Sequence, residues 1–326
     1  MKEGRRFTII LLLILGTALS VSGQATVNVS PGDDIHAAIQ QAGAGGIVIF
    51  APGEYDVMRA DPGNDSAFII SPELEGITLQ GAGPGMDPTT ASILNGEAWY
   101  ISNNCFRIQA SDVLIDGFTV INFADEGMDI NADVFNVEFR NLWIVGCESG
   151  VDTSTSSAGF YDDGAPDDFS EMIRFRNCIF ARGGDDATDI EDNNTFAFIN
   201  CDFYDWDSDI MENEDLSTVI VVNCIIHAGE HSDDFDSGGA GGLLEARNCI
   251  FFDPPGEDAD GLGGIAFEGG AYELDSIGED PLYVNVGPHV PLEELDFHLR
   301  PDSPALTVGK DENGNPTYAG SMGPAQ

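Results

Sequence analysis

One short phrase returns four times between Ile173 and Phe251, and it limits what this chain can become. It reads Arg176-Asn177-Cys178-Ile179-Phe180, Ile199-Asn200-Cys201-Asp202-Phe203, Val222-Asn223-Cys224-Ile225-Ile226 and Arg247-Asn248-Cys249-Ile250-Phe251, with the asparagines 23, 23 and 25 residues apart. A fixed period in this range predicts a solenoid in which each repeat is one coil stacked on the last. The coils carry short β-branched and aromatic runs, such as Thr218-Val-Ile-Val-Val222, set between Gly, Asp and Asn. That is strand and turn vocabulary with no helical period, so the coils are expected to form a parallel β-helix.

Stacking turns sequence columns into physical ladders, with neighbouring coils about 4.8 Å apart. The asparagine column can bond amide to amide up the stack while holding a turn. Cys and, two residues later, Phe or Ile share a face by period-2 alternation, and that face is expected to be the dry interior. The residue between them is Ile or, once, Asp. Four of the six cysteines thus fall in one interior column. In-register Cβ atoms about 4.8 Å apart are wider than a disulfide prefers, which favours a stack of buried thiols.

The start of the chain has a basic end (Lys2, Arg5, Arg6), an apolar run Ile9–Leu15 and small residues up to Ala25. Residues 1–25 are therefore expected to be a secretory signal, and the apolar run is too short to span a bilayer. The expected product is exported, extracellular or periplasmic, with no membrane span. The whole chain has 12 basic and 57 acidic residues; without Lys2, Arg5, Arg6 and Glu3 the remainder has 9 and 56, a formal charge of −47. Such self-repulsion calls for bound divalent cations or a salty habitat. It excludes nucleic acid as a partner, and it admits a polyanionic polysaccharide only where metal ions bridge it.

Past the signal, Thr26–Val29 reads as a strand. Ser30–Asp34 can start a helix with Ile35, Ala38, Ile39 and Ala42 on one face, a cap over the first coil. The run Ser30-Pro-Gly-Asp-Asp-Ile-His-Ala-Ala-Ile-Gln-Gln-Ala42, then Ile47-Val-Ile-Phe-Ala-Pro-Gly-Glu-Tyr55 and Gly76-Ile-Thr-Leu-Gln-Gly-Ala-Gly83, resembles the first coils of right-handed parallel β-helix proteins of the pectin-lyase-like superfamily. Asp280-Pro-Leu-Tyr-Val284 and Asp296-Phe-His-Leu-Arg-Pro-Asp-Ser-Pro-Ala305 resemble the final coils of secreted β-helix repeat proteins. The resemblance implies an all-β fold, a single-stranded right-handed parallel β-helix with a short N-terminal capping helix. One domain is expected over 26–309, with inserted loops at about 154–170 and 253–264 and a loose polar tail over 310–326. It leaves activity open, because the superfamily holds lyases, hydrolases, epimerases and adhesins.

The chemistry follows each column asparagine by about 9–13 residues. Successive coils offer Glu126-Gly-Met-Asp129, Glu148-Ser-Gly-Val-Asp152, Asp185-Asp186-Ala-Thr-Asp189, Asp205-Trp-Asp207-Ser-Asp209 and Asp233-Asp234-Phe-Asp236. Stacked carboxylates cannot all stay ionised without counter-charge, and calcium takes 6–8 oxygens that adjacent coils can supply. We read Asp186, Asp189, Asp207 and Asp209, with Asp152, as candidate calcium ligands. The competing reading is the solvated acidic face of a salt-adapted protein. In-register placement favours the metal.

Three catalytic readings are open. Related β-helix lyases use Arg or Lys as base, which here points to Arg182 beside Asp186, although an ion pair with a neighbouring Asp is the plainer role for Arg182. Gly184-Asp185-Asp186 resembles a polygalacturonase-type glycoside hydrolase, but the Gly-His-Gly coil and Arg-Ile-Lys clamp of that family are missing. His231, with His227, lies beside Asp233 and could act as a base or ligand. Arg140, Arg176 and Arg247 are expected to pair with surface acids. The expectation is a secreted calcium-binding β-helix that binds or cleaves extracellular polysaccharide, lyase-like if catalytic. The alternative is a non-catalytic surface or matrix β-helix stabilised by calcium.

Overall fold

The asparagine column sets the architecture. Asn141, Asn177, Asn200, Asn223 and Asn248 all have φ between 49° and 54°. Asparagine tolerates this left-handed conformation because its short side chain can bond locally. A single such residue makes the corner between two strands, and repeating it once per coil makes a straight edge. The computed structural model describes residues 24–57, 66–96, 104–130, 134–147, 149–152, 172–190, 195–213, 217–228, 234–236, 243–253, 262–287 and 289–324. Its coils form three parallel sheets, of ten, nine and eight strands among the described residues, each coil contributing one strand to each sheet. This is the expected right-handed parallel β-helix. The signal segment and the 154–170 loop fall outside the described residues, as does most of the 253–264 loop.

The central coils show the register. In the ten-stranded sheet Phe175 lies beside Phe198 and Phe198 beside Val221. In the nine-stranded sheet Phe180 lies beside Phe203 and Phe203 beside Ile226. Cys178, Cys201, Cys224 and Cys249 and the residues two places on, Phe180, Phe203, Ile226 and Phe251, are fully buried, as alternation predicts. All six cysteines are free. The rings stack in register, Phe139 on Phe175 at 4.5 Å, Phe175 on Phe198 at 5.0 Å and Phe180 on Phe203 at 4.9 Å. At these separations each ring adds packing energy beyond its buried area. The asparagine amides run up the stack from Asn141 to Asp116, from Asn177 to Asn141 and from Asn200 to Asn177.

The N-terminal end is closed as expected. Helix α1 (Ile35–Ala42) buries Ile35, Ala38, Ile39 and Ala42, and Asp34 caps it by accepting from the Ala37 N–H at 2.9 Å. The C-terminal region differs from expectation. Residues 279–324 do not trail away. They return along the outer face of the nine-stranded sheet as a strap. Within it Tyr283–Asn285 pairs antiparallel with Asp296–Leu299, and Gly309–Lys310 pairs antiparallel with Pro316–Thr317. Tyr283, Phe297, Leu299 and Ala319 cover the outward side chains of Val145, Ile179, Ile225 and Ile250, giving the molecule a second apolar core. Polar composition hid this, because the strap needs only a few apolar residues to cover a sheet that is itself apolar on its outer side.

The strap interrupts the asparagine ladder. Asn223 does not continue the amide chain. Its Nδ2 donates to the Lys310 carbonyl at 2.9 Å and its Oδ1 accepts from the Lys310 N–H at 3.0 Å.

Candidate functional site

The eight-stranded sheet carries the acids. One outward column reads, coil by coil, Arg107, Asp129, Asp152, Asp189, Glu212, Asp236 and Glu268, each in register with the next. Its first rung is neutralised: Asp129 is 3% exposed and accepts from Arg107 and from the Asn104 amide. Three other arginines are spent elsewhere. Arg140 and Arg176 pair with Glu138, and Arg247 with Glu245, as surface pairing predicts.

A second set of carboxylates enters from the turn before this sheet. Trp206 fills the space under that turn, and a Cβ on Gly183 would sit 1.7 Å from its ring. Only glycine lets the Gly183–Asp186 turn lie this close to the coil below. Asp186 is thereby brought against the next coil, where its Oδ1 accepts from the Asp209 N–H at 2.8 Å. Asp186, Asp209 and Glu212 each place a carboxylate oxygen within 4.8 Å of the others. Asp186 is 8% exposed. Burial raises its carboxyl pKa, the Ser208 hydroxyl and Asp209 N–H oppose that shift, and neighbouring Asp185 adds to it. Three carboxyl groups this close, one of them desolvated, favour either a shared proton or a cation.

The residues marked in the sequence divide. Asp186 and Asp209 meet. Asp189 lies in the outward column one rung from Glu212. Asp152 is the rung before it, and its side chain is outside the described set. Asp207 is exposed and lines a neighbouring hollow of about 230 Å³ with Asn122, Gly146, Arg182 and Gly184. Glu212 was not singled out, although it falls 23 residues after Asp189 and 12 after Asn200. The period itself carried that signal, obscured by the denser Asp205–Asp209 run just before it.

Arg182 has φ +57° and meets the strap and Asp205 rather than the Asp186–Asp209–Glu212 cluster. Its guanidinium donates to the carbonyls of Val290 (2.5 Å) and Gly287, and it pairs with Asp205 at 3.5 Å. His227 is buried beneath the strap beside Tyr204 and Tyr283, its Nδ1 2.9 Å from the Ala228 carbonyl, and burial lowers its pKa. It is therefore a neutral core histidine. His231 lies outside the described residues.

No helix among the described residues is long and apolar enough to cross a membrane. No family model matches the chain, and no curated protein matches it. Among solved structures, the chain is similar to the pectate lyase Pel9A, with a TM-score of 0.56 and 11% identity, over 94% of this chain and 98% of that one. At that identity the likeness establishes the fold alone, a parallel β-helix.

Proposed function

We propose that the chain is a secreted, calcium-binding β-helix protein that binds or cleaves extracellular polysaccharide. The observation that carries this reading is the convergence of Asp186, Asp209 and Glu212 from two successive coils. Three carboxylates offer up to six oxygens, a hard-oxygen set of the kind calcium takes at about 2.3–2.6 Å. A desolvated Asp186 suits it, because a bound cation supplies the counter-charge that burial withholds. The ion would also let so acidic a protein hold a polyuronate. The fold it shares with a pectate lyase supports a polysaccharide ligand.

Cleavage by elimination needs a base. Arg182 and His231 are the candidates, with Asp186 beside the metal. The engagement of Arg182 with Val290 and Gly287 favours the second reading, a non-catalytic surface or matrix protein that calcium stabilises.

Calorimetric titration of calcium into the protein lacking residues 1–25, compared with Asp209→Asn and Glu212→Gln, tests the site. Saturable binding that each variant weakens by about tenfold or more supports it. Equal binding by all three proteins, or heats reproduced by sodium chloride, would overturn it. Ultraviolet absorbance of polygalacturonate incubated with the calcium-loaded protein then separates cleavage from binding.

A further inference from the structure

The strap does not reach the first coils, and where it ends it leaves a groove away from the carboxylate face. The groove encloses about 500 Å³ at the corner between the ten- and nine-stranded sheets. Its floor is the start of the asparagine ladder, Asp116, Asn141 and Asn177. Trp143 and Tyr318 flank it, and the Gln80–Pro84 turn closes the far side. Trp143 stands in the outward column between Thr119 and Ile179. It is partly buried, touched edge-on by Phe297 at 6.5 Å and 73°. A half-buried indole on the rim of a concave, amide-lined groove is where a ligand's apolar face would rest.

Charge narrows the ligand. Asp116 is the one carboxylate among the described residues lining the groove, and its Oδ1 already accepts from the Asn141 amide at 2.8 Å. In a chain of formal charge −45 this groove carries little charge, a single acid and no base among its described lining residues, so nothing in it attracts an anionic sugar. The side-chain amides of Gln80, Asn141 and Asn177 both donate and accept, as a polyhydroxyl ligand requires, and the Ser321 hydroxyl, which donates to Asp202, can still accept. Flat aromatic side chains match the C–H faces of sugar rings. We propose that this groove is a second binding site, selective for a neutral oligosaccharide, held on Trp143 and Tyr318 and oriented by Gln80, Asn141 and Asn177. It is independent of calcium and of the carboxylate cluster.

The test is tryptophan fluorescence during titration with cellohexaose, xylohexaose, mannohexaose and galactohexaose, each with calcium and with EDTA. The expected result is a saturable change with at least one of them, equal in EDTA and in Asp209→Asn. Trp143→Ala and Gln80→Ala should each weaken it about tenfold or more. Gln80 is exposed, so its variant tests the groove even where removal of Trp143 disturbs folding. No saturable change with any of the four sugars overturns the proposal. So does binding unaltered by Gln80→Ala. Binding abolished by EDTA or by Asp209→Asn would place the sugar on the carboxylate face and equally refute the groove.

Discussion

Asp202 should make the strap pH-sensitive. It occupies the place in its column that Ile179, Ile225 and Ile250 hold in neighbouring coils, under the strap and 1% exposed. The strap reaches down to it: the Tyr283 hydroxyl and Ser321 N–H donate to its carboxylate, each at 2.5 Å, and the Ser321 hydroxyl donates as well. Burial nevertheless outweighs these donors and pushes its pKa from 3.8 to about 7. The folded protein therefore keeps a proton that the unfolded chain releases near pH 4. Its stabilisation is full below pH 3.8 and is lost as pH rises to about 7. At about 1.4 kcal/mol per pH unit, the whole effect comes to about 4–5 kcal/mol, an upper bound because the strap can open without the coils unfolding. The other acids also repel one another as pH rises, so the informative quantity is wild type minus Asp202→Asn, measured by urea denaturation from pH 4 to pH 8. The asparagine variant should be less stable at pH 4, where it misplaces an N–H against three donors, and should regain ground steadily towards pH 7. A difference that stays flat across this range would show that Asp202 is ionised throughout and that the donors, not burial, decide its state.

Further consequences concern the same architecture. Gly320 has φ +87°, and a Cβ there would meet Asp202 Oδ1 and Ile225 Cδ1 at 2.7 Å; Gly320→Ala should cost about 1–3 kcal/mol in denaturant and speed amide exchange in the strap. Phe198 stacks on Phe175 at 5.0 Å and is fully buried, so Phe198→Ala should lower unfolding free energy by about 3–5 kcal/mol. Arg182→Ala removes the two bonds to the strap and should destabilise by about 1–3 kcal/mol; full stability with turnover of polyuronate abolished would instead make Arg182 a catalytic residue. All six cysteines are buried and free, so a thiol reagent should find none in the native protein and six after unfolding.

The coils were legible because their physics is local and repeats: a left-handed Asn, a buried Cys and a buried aromatic recur at one spacing, and each is readable from its own neighbours. The acidic column was legible for the same reason, apart from Glu212 and Glu268. The strap was not, because its contacts are single and distant. Asn223 meets Lys310 87 residues on, and Asp202 meets Ser321 119 residues on. No period links such pairs. Their traces lie in the residues that break a column. Asp202 stands where isoleucine recurs. Arg182 stands where the other coils place Asn122, Gly146 and Asp205 in the same left-handed corner. Both breaks turned out to be contacts with the strap. Trp143, between Thr119 and Ile179, breaks its column in the same way but is only partly covered. In a solenoid each coil repeats its neighbour's environment, so a residue that departs from its column must answer to something outside the repeat. For Asp202 and Arg182 that partner is within the chain. The indole of Trp143 also departs from its column and is only partly covered, which is the reason to look for a ligand in the groove beside it.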